Sequence, residues 1–219
     1  MYRFGAWLSE PGTGLVYKHR AGPRFSSCYR KSIGNFIFSL LIMSAQSFDT
    51  FSQKFFDLIH AGDTVLDLGA GVGTYAQYMA ERDAHVIAVD QRTDVPTIVG
   101  VTRVTENIPV WIAALADEMY DAVLMKNIIQ FFSRDYLTQT LFPAIASRVR
   151  NGGVVGIQTF FAAPEPPFSK SLTFWTTVEL QHAFMGWEVL YSNTFSENRK
   201  ALSGGDHLFH MIDFIVKKN

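Results

Sequence analysis

The segment Asp67-Leu68-Gly69-Ala70-Gly71-Val72-Gly73 joins an apolar, β-branched run to a helix-forming stretch, and Asp90 ends the next apolar run, 17 residues past Gly73. Glycines between a buried strand and a helix let the backbone approach a ligand closely, and some supply φ > 0. An acid closing the second strand suits the two hydroxyls of a ribose. A dinucleotide fingerprint needs a third glycine where Thr74 stands. Asp67 lies two residues before the first glycine, at the strand mouth. Its charge repels a pyrophosphate and attracts an ammonium or a sulfonium. These residues favour S-adenosylmethionine over NAD.

Such a loop works only if flanking elements hold it, and the chain from residue 51 alternates accordingly. Phe51, Phe55, Leu58 and Ile59 recur at helical spacing, and Ala61-Gly62 ends that helix. Thr64 to Leu68 predicts a parallel strand buried on both faces. Thr74 to Arg82 predicts a helix and Ala84 to Val89 a second strand. Gln91 to Gly100 contains Pro96 and leaves no room for a crossover helix. Strands are expected at Val101 to Val104, Ala122 to Met125 and Val154 to Phe160. A segment opens near Ser133, and Pro143 suits the first turn of a helix ending at Asn151-Gly152-Gly153. Thr176 and Glu179 form a capping-box pattern. Trp187 to Ser192 and His207 to Val216 predict a terminal strand pair. The fold class is α/β: a Rossmann-like, doubly wound, mostly parallel sheet with an antiparallel C-terminal strand pair.

Composition narrows the function. The chain has 219 residues, 48% hydrophobic and 18% charged, which suits one ordered domain with an appendage. A net charge of −1 provides no field for gripping nucleic acid or anionic lipid, so nucleic acid is an unlikely partner. Cys28 is the single cysteine, so neither an internal disulfide nor a thiolate metal site can form, and a reducing cytoplasm is expected. The apolar run Ile33 to Met43 is too short to span a bilayer. Arg20, Arg24, Arg30 and Lys31 precede it, but a secretory reading would need a much longer n-region than usual. Residues 1–42 show no regular period and read as an N-terminal extension, with the working domain at 43–219.

The stretch 51–219 resembles the class I S-adenosylmethionine-dependent methyltransferases. Asp67 to Gly73 is similar to their first motif and Asp90 to their ribose-binding acid. Tyr120 to Leu124 is similar to their fourth strand, and Asn151 to Val155 to the turn into the fifth. Glu179-Leu180, Phe184 and Gly186 to Val189 resemble the small-molecule branch, which includes tellurite-resistance and thiopurine-type enzymes. The resemblance implies that Gly69, Ala70, Gly71 and Gly73 line the methionine and ribose of the cofactor, with Asp67 near its amino group. Asp90 would take the ribose hydroxyls and Gln91 would lie against the adenine. Asn107-Ile108 stands where the family has an acid-hydrophobic pair at the adenine edge, and Glu106 is a substitute for that acid. Lys126 and Asn127 stand past the fourth strand, where cofactor and substrate meet, although Lys126 reads first as a solvated rim lysine.

Methyl transfer from a sulfonium is an in-line displacement with a good leaving group, so alignment and water exclusion can suffice. No triad or carboxylate pair appears, and no catalytic residue is named. The expected partner is a small-molecule acceptor, without a membrane. Two alternatives stand beside this reading. The short loop Gln91 to Val101 resembles RNA 2′-O-ribose methyltransferases, but their Asp after strand four would fall near Lys126-Asn127 and their Lys in strand five near Gln158. A non-catalytic S-adenosylmethionine-binding protein is the other. Phe131, Phe132, Phe160 and Phe161 read as core more readily than as a substrate wall. His207 and His210 lie on opposite strand faces, so no metal site is expected.

Overall fold

The computed structural model describes residues 48–115, 117–167, 171–200 and 205–219. The expected extension 1–42, with Cys28 and the apolar run Ile33 to Met43, lies outside the described residues.

The elements begin with α1 (Thr50–Phe56), β1 (Thr64–Leu68), α2 (Thr74–Ala80), β2 (His85–Asp90) and β3 (Val101–Thr105). Then come α3 (Ile108–Ala113), β4 (Tyr120–Lys126), a 3-10 turn (Ile129–Phe131) and a helical run from Arg134 to Arg148. The C-terminal part holds β5 (Val149–Phe160), α4 (Thr177–Ala183), β6 (Glu188–Lys200) and β7 (Asp206–Lys217). Seven strands form one sheet in the order β3-β2-β1-β4-β5-β7-β6. The pairs from β3 to β5 are parallel, while β7 runs antiparallel between β5 and β6. The expected fold class is the observed one.

Each face of the sheet is sealed by its own apolar layer. Leu66, Leu68, Val123 and Met125 meet Phe142, Trp175 and Leu180 on one side. Val65, Ala88 and Leu124 meet Phe51, Phe55, Ala76 and Met79 on the other. The strict alternation along β1 and β4 produces this division, because successive side chains leave a strand on opposite faces. Helix α1 lies very close to the sheet: a Cβ at Gly156 would sit 2.5 Å from the Phe55 ring.

Several boundaries differ from those read off the pattern, among them the start of β5, which opens at Val149 and takes in Asn151-Gly152-Gly153, the expected helix stop. Helix α1 stops at Phe56, with Asp57 as its C-cap, before Leu58. The helix holding Pro143 opens ten residues before it, with Ser133 accepting the Tyr136 N–H as N-cap. A π turn, Leu137–Leu141, precedes Phe142–Arg148. The wider turn absorbs an imino residue that cannot donate to the preceding turn. Strand β6 runs on to Lys200 because, past a bulge between Val189 and Tyr191, β7 pairs with it antiparallel as far as Asp206. The capping box is present, with Thr176 and Glu179 bonding reciprocally.

Candidate functional site

The carboxyl ends of β1, β2 and β4 carry the residues singled out in the sequence. Asp67, Ala88 and Leu124 pair in one register row, which continues through Ala88 to Arg103. Small Ala88 separates the acid from the guanidinium, and Arg103 donates to the Gly71 carbonyl at 3.1 Å and the Arg92 carbonyl at 3.3 Å. Asp67 is only 2% exposed, and its Oδ2 has no partner among the described residues. Burial chiefly, and then the nearby Asp90 charge, push the Asp67 carboxyl up to about 7, against Arg103 and an N–H bond from Ala76.

The loop follows from its own hydrogen bonds. Gly69 and Ala70 donate to the Val89 carbonyl at 2.8 and 3.2 Å. Gly71 donates to Asp90 Oδ2 at 2.9 Å, and Arg92 donates to Asp90 Oδ1 at 2.9 Å. Each carboxylate oxygen of Asp90 therefore keeps a lone pair for a ligand hydroxyl. Gly71 has φ 56°, and a Cβ placed on it would meet no atom within 4 Å, so the backbone there lies open to a ligand. Gly73 begins α2 in the left-handed conformation, and a Cβ on it would strike Ile98. The Ala70 methyl is turned into the α1–α2 core, so only its backbone faces the loop opening.

The other implied contacts are spread wider. Gln91 is exposed. Exposed Asn107 caps α3 through its backbone alone, and its N–H donates to Glu106 Oε1 at 2.7 Å. Ile108 is buried against the main core. Phe160 packs with Phe209 and Met211, whereas Phe131 is exposed. His210 Nδ1 lies 2.8 Å from Ser196 Oγ, and His207 Nδ1 2.7 Å from the Pro166 carbonyl.

Lys126 is not a solvated rim lysine. It is 8% exposed, and its Nζ donates to Asp49 Oδ2 at 2.5 Å and Ser52 Oγ at 3.2 Å. Asp49 is the N-cap of α1, which brings a carboxylate over the end of β4. The next strands continue a polar row in register: Lys126 pairs with Gln158 and Gln158 with Asp213. Gln158 Nε2 donates to Asp213 Oδ1 at 2.7 Å and approaches Asp49 Oδ2 at 3.5 Å. Burial raises the Asp49 pKa, but Lys126 and Ser52 outweigh it and hold the group at about 2. Burial pushes the Lys126 ammonium below its usual range, opposed by Asp49. Burial also raises Asp213, against its bond from Gln158. Asp213 could have been picked out as a lone acid inside an apolar strand, and Arg103 as the one charge in Val-Thr-Arg-Val-Thr. Asp49 carried no comparable signal, because its partner is 77 residues away.

This strand order, with the reversed β7 and an acid-flanked glycine loop after β1, makes a Rossmann-like fold. A family model described as FtsJ-like methyltransferase matches residues 49–110. The fold is similar to TehB from Haemophilus influenzae, with TM-score 0.63 and 16% identity over 80% of this chain. The chain spans 64% of the length of that protein. It is also similar to 1,6-didemethyltoxoflavin-N1-methyltransferase from Burkholderia thailandensis, solved with 1,6-didemethyltoxoflavin and S-adenosylhomocysteine bound. That match has TM-score 0.52 and 17% identity, covering 91% of this chain and 93% of the other. The N-methyltransferase NodS from Bradyrhizobium japonicum, solved with S-adenosylhomocysteine, matches at TM-score 0.53 and 9% identity, over 76% of this chain and 88% of the other. No curated protein matches the sequence.

Proposed function

We propose that this chain is an S-adenosylmethionine-dependent methyltransferase acting on a small-molecule acceptor. The carrying observation is Asp67 Oδ2, a buried carboxylate oxygen with no partner among the described residues, beside an open glycine loop. A buried acceptor of this kind requires a donor, and the amino group of the cofactor supplies one. The cofactor, once bound, provides an electrophilic methyl group on a sulfonium.

In this reading Asp67 holds the ammonium, Asp90 takes the ribose hydroxyls, and Gly69, Ala70, Gly71 and Gly73 supply the backbone cradle. Gln91 and Asn107-Ile108 border the adenine. Asn127 faces the acceptor side, while Lys126 acts through Asp49 rather than on the ligand. A small-molecule acceptor is supported by the likeness to the didemethyltoxoflavin enzyme, which was solved holding such a ligand. A cytoplasmic setting accords with the single cysteine, and none of the described helices is long and apolar enough to cross a membrane.

The RNA 2′-O-methyltransferase reading draws on the β2–β3 connection, which contains no helix among residues 91–100. Against it, the positions of that family's Asp and second Lys carry Lys126 and Gln158, so the charge pattern for activating a ribose hydroxyl is not reproduced.

Calorimetric titration of the full chain with S-adenosylhomocysteine and with NAD separates the cofactor classes. Saturable binding of the first and no response to the second is expected, and tight NAD binding alone would overturn the proposal.

A further inference from the structure

Asn127 is a second place where a buried acceptor lacks a donor, since its Oδ1 is buried without a partner among the described residues. The residue follows β4 directly and has φ 55°, a left-handed conformation unusual for a side-chain-bearing residue. Its backbone N–H donates to the Gln158 carbonyl at 2.9 Å. Its neighbour Ile128 closes on the glycine loop, where a Cβ on Gly69 would lie 2.6 Å from the Ile128 side chain. Asn127 thus stands between the loop and the polar row of β4, β5 and β7.

The orientation of its amide is dictated from behind. Asp49 and Asp213 both present carboxylate oxygens to Gln158, so the Gln158 NH2 end must face them. That turns Gln158 Oε1 towards Asn127, whose Nδ2 donates to it at 3.3 Å. The Asn127 carbonyl is left pointing away from the row. The relay Asp213–Gln158–Asn127 therefore fixes which end of the amide is offered to a ligand.

Resting on the methyltransferase reading, we infer that Asn127 Oδ1 accepts an N–H of the methyl-accepting group, and that the acceptor is an amine or another N–H nucleophile. An amide oxygen can receive a hydrogen bond but cannot take up a proton. An alcohol must lose its only O–H hydrogen as the methyl arrives, so it needs a base; a thiolate or carboxylate has no hydrogen to offer. A neutral amine attacks the methyl carbon with its lone pair and keeps its N–H. The C–N bond forms, the C–S bond breaks with its electron pair remaining on sulfur, and the methylated ammonium then releases a proton to solvent. The N–H grows more acidic along this path, so the bond to Asn127 strengthens towards the transition state.

Sinefungin tests this without knowledge of the acceptor, because it carries an amine-bearing carbon in place of the methylated sulfur. Calorimetry on the full chain should show sinefungin binding about tenfold more tightly than S-adenosylhomocysteine, as for a charge-assisted hydrogen bond. Asn127→Gly removes the amide while relieving the left-handed backbone, so it should fold. It should lower sinefungin affinity about tenfold more than S-adenosylhomocysteine affinity and so abolish that preference, since only the amine loses its partner. Asn127→Asp keeps an oxygen in place and should retain the preference. A preference that persists in Asn127→Gly, or an equal loss for both ligands, would overturn the inference and leave the cofactor site intact. If the wild type binds neither ligand, the methyltransferase reading falls and this assignment with it.

Discussion

Replacing Asp67 by asparagine should make the unliganded protein more stable above neutral pH while weakening its cofactor site. In the folded chain the Asp67 carboxyl is raised from 3.8 to about 7, with burial as the main cause and the Asp90 charge second. The difference is about three pH units at about 1.4 kcal/mol each, so ionising this group costs the folded state on the order of 4 kcal/mol. The penalty is absent below pH 3.8, grows as pH rises, and is complete above about 7. The uncharged amide of Asp67→Asn would escape it, but its buried NH2 would lack a partner at a cost of about 1–3 kcal/mol. The net gain at pH 8 is therefore about 1–3 kcal/mol, reversing to a small loss at pH 4. Urea unfolding at the two pH values measures the difference. The same variant should lose S-adenosylhomocysteine affinity at pH 8, since a cationic amine would meet an amide instead of a carboxylate. Equal destabilisation at both pH values would refute the claim that Asp67 is a strained, unpaired charge awaiting a cation.

Asp90→Ala should weaken S-adenosylhomocysteine binding by about 1–3 kcal/mol through loss of a charged acceptor, and calorimetry reads the change directly. Lys126→Met leaves Asp49 with only the more distant Arg199, at 3.9 Å, and should destabilise the fold by about 1–3 kcal/mol. Adding Asp49→Asn should recover part of that loss in a double-mutant cycle followed by urea unfolding. The Asp49–Lys126 contribution should be complete above pH 3.8 and disappear as pH falls through about 2, so the wild type should lose more stability than Lys126→Met between those pH values. Gly156→Ala puts a methyl 2.5 Å from the Phe55 ring. Because that ring is fully buried, the overpacking should cost about 1–3 kcal/mol by denaturant unfolding.

The strands and the glycine loop were legible because their signals are local. Thr64 to Leu68 is a continuous apolar run, and Asp67, Gly71 and Asp90 act through neighbours on one βαβ unit. The polar row was not legible. Lys126 looks like a strand-end lysine until α1 folds over it and delivers Asp49, and Gln158 looks neutral until Asp213 orients it. Those contacts bridge 77 and 55 residues of chain and depend on the β5–β7 register. The π turn before Pro143 also escaped the pattern, since a proline two residues into Phe142–Arg148 reads equally well as a helix start. Short-range chemistry was visible in the residue order; the cluster assembled by strand order was not.

A crystal structure of the full chain with S-adenosylhomocysteine would probe the loop most directly. The homocysteine amine should lie within hydrogen-bond reach of Asp67 Oδ2, and the ribose hydroxyls should meet Asp90. A ligand that engages neither carboxylate, or that sits away from Gly71, would contradict the assignment of this loop as a sulfonium-donor cradle.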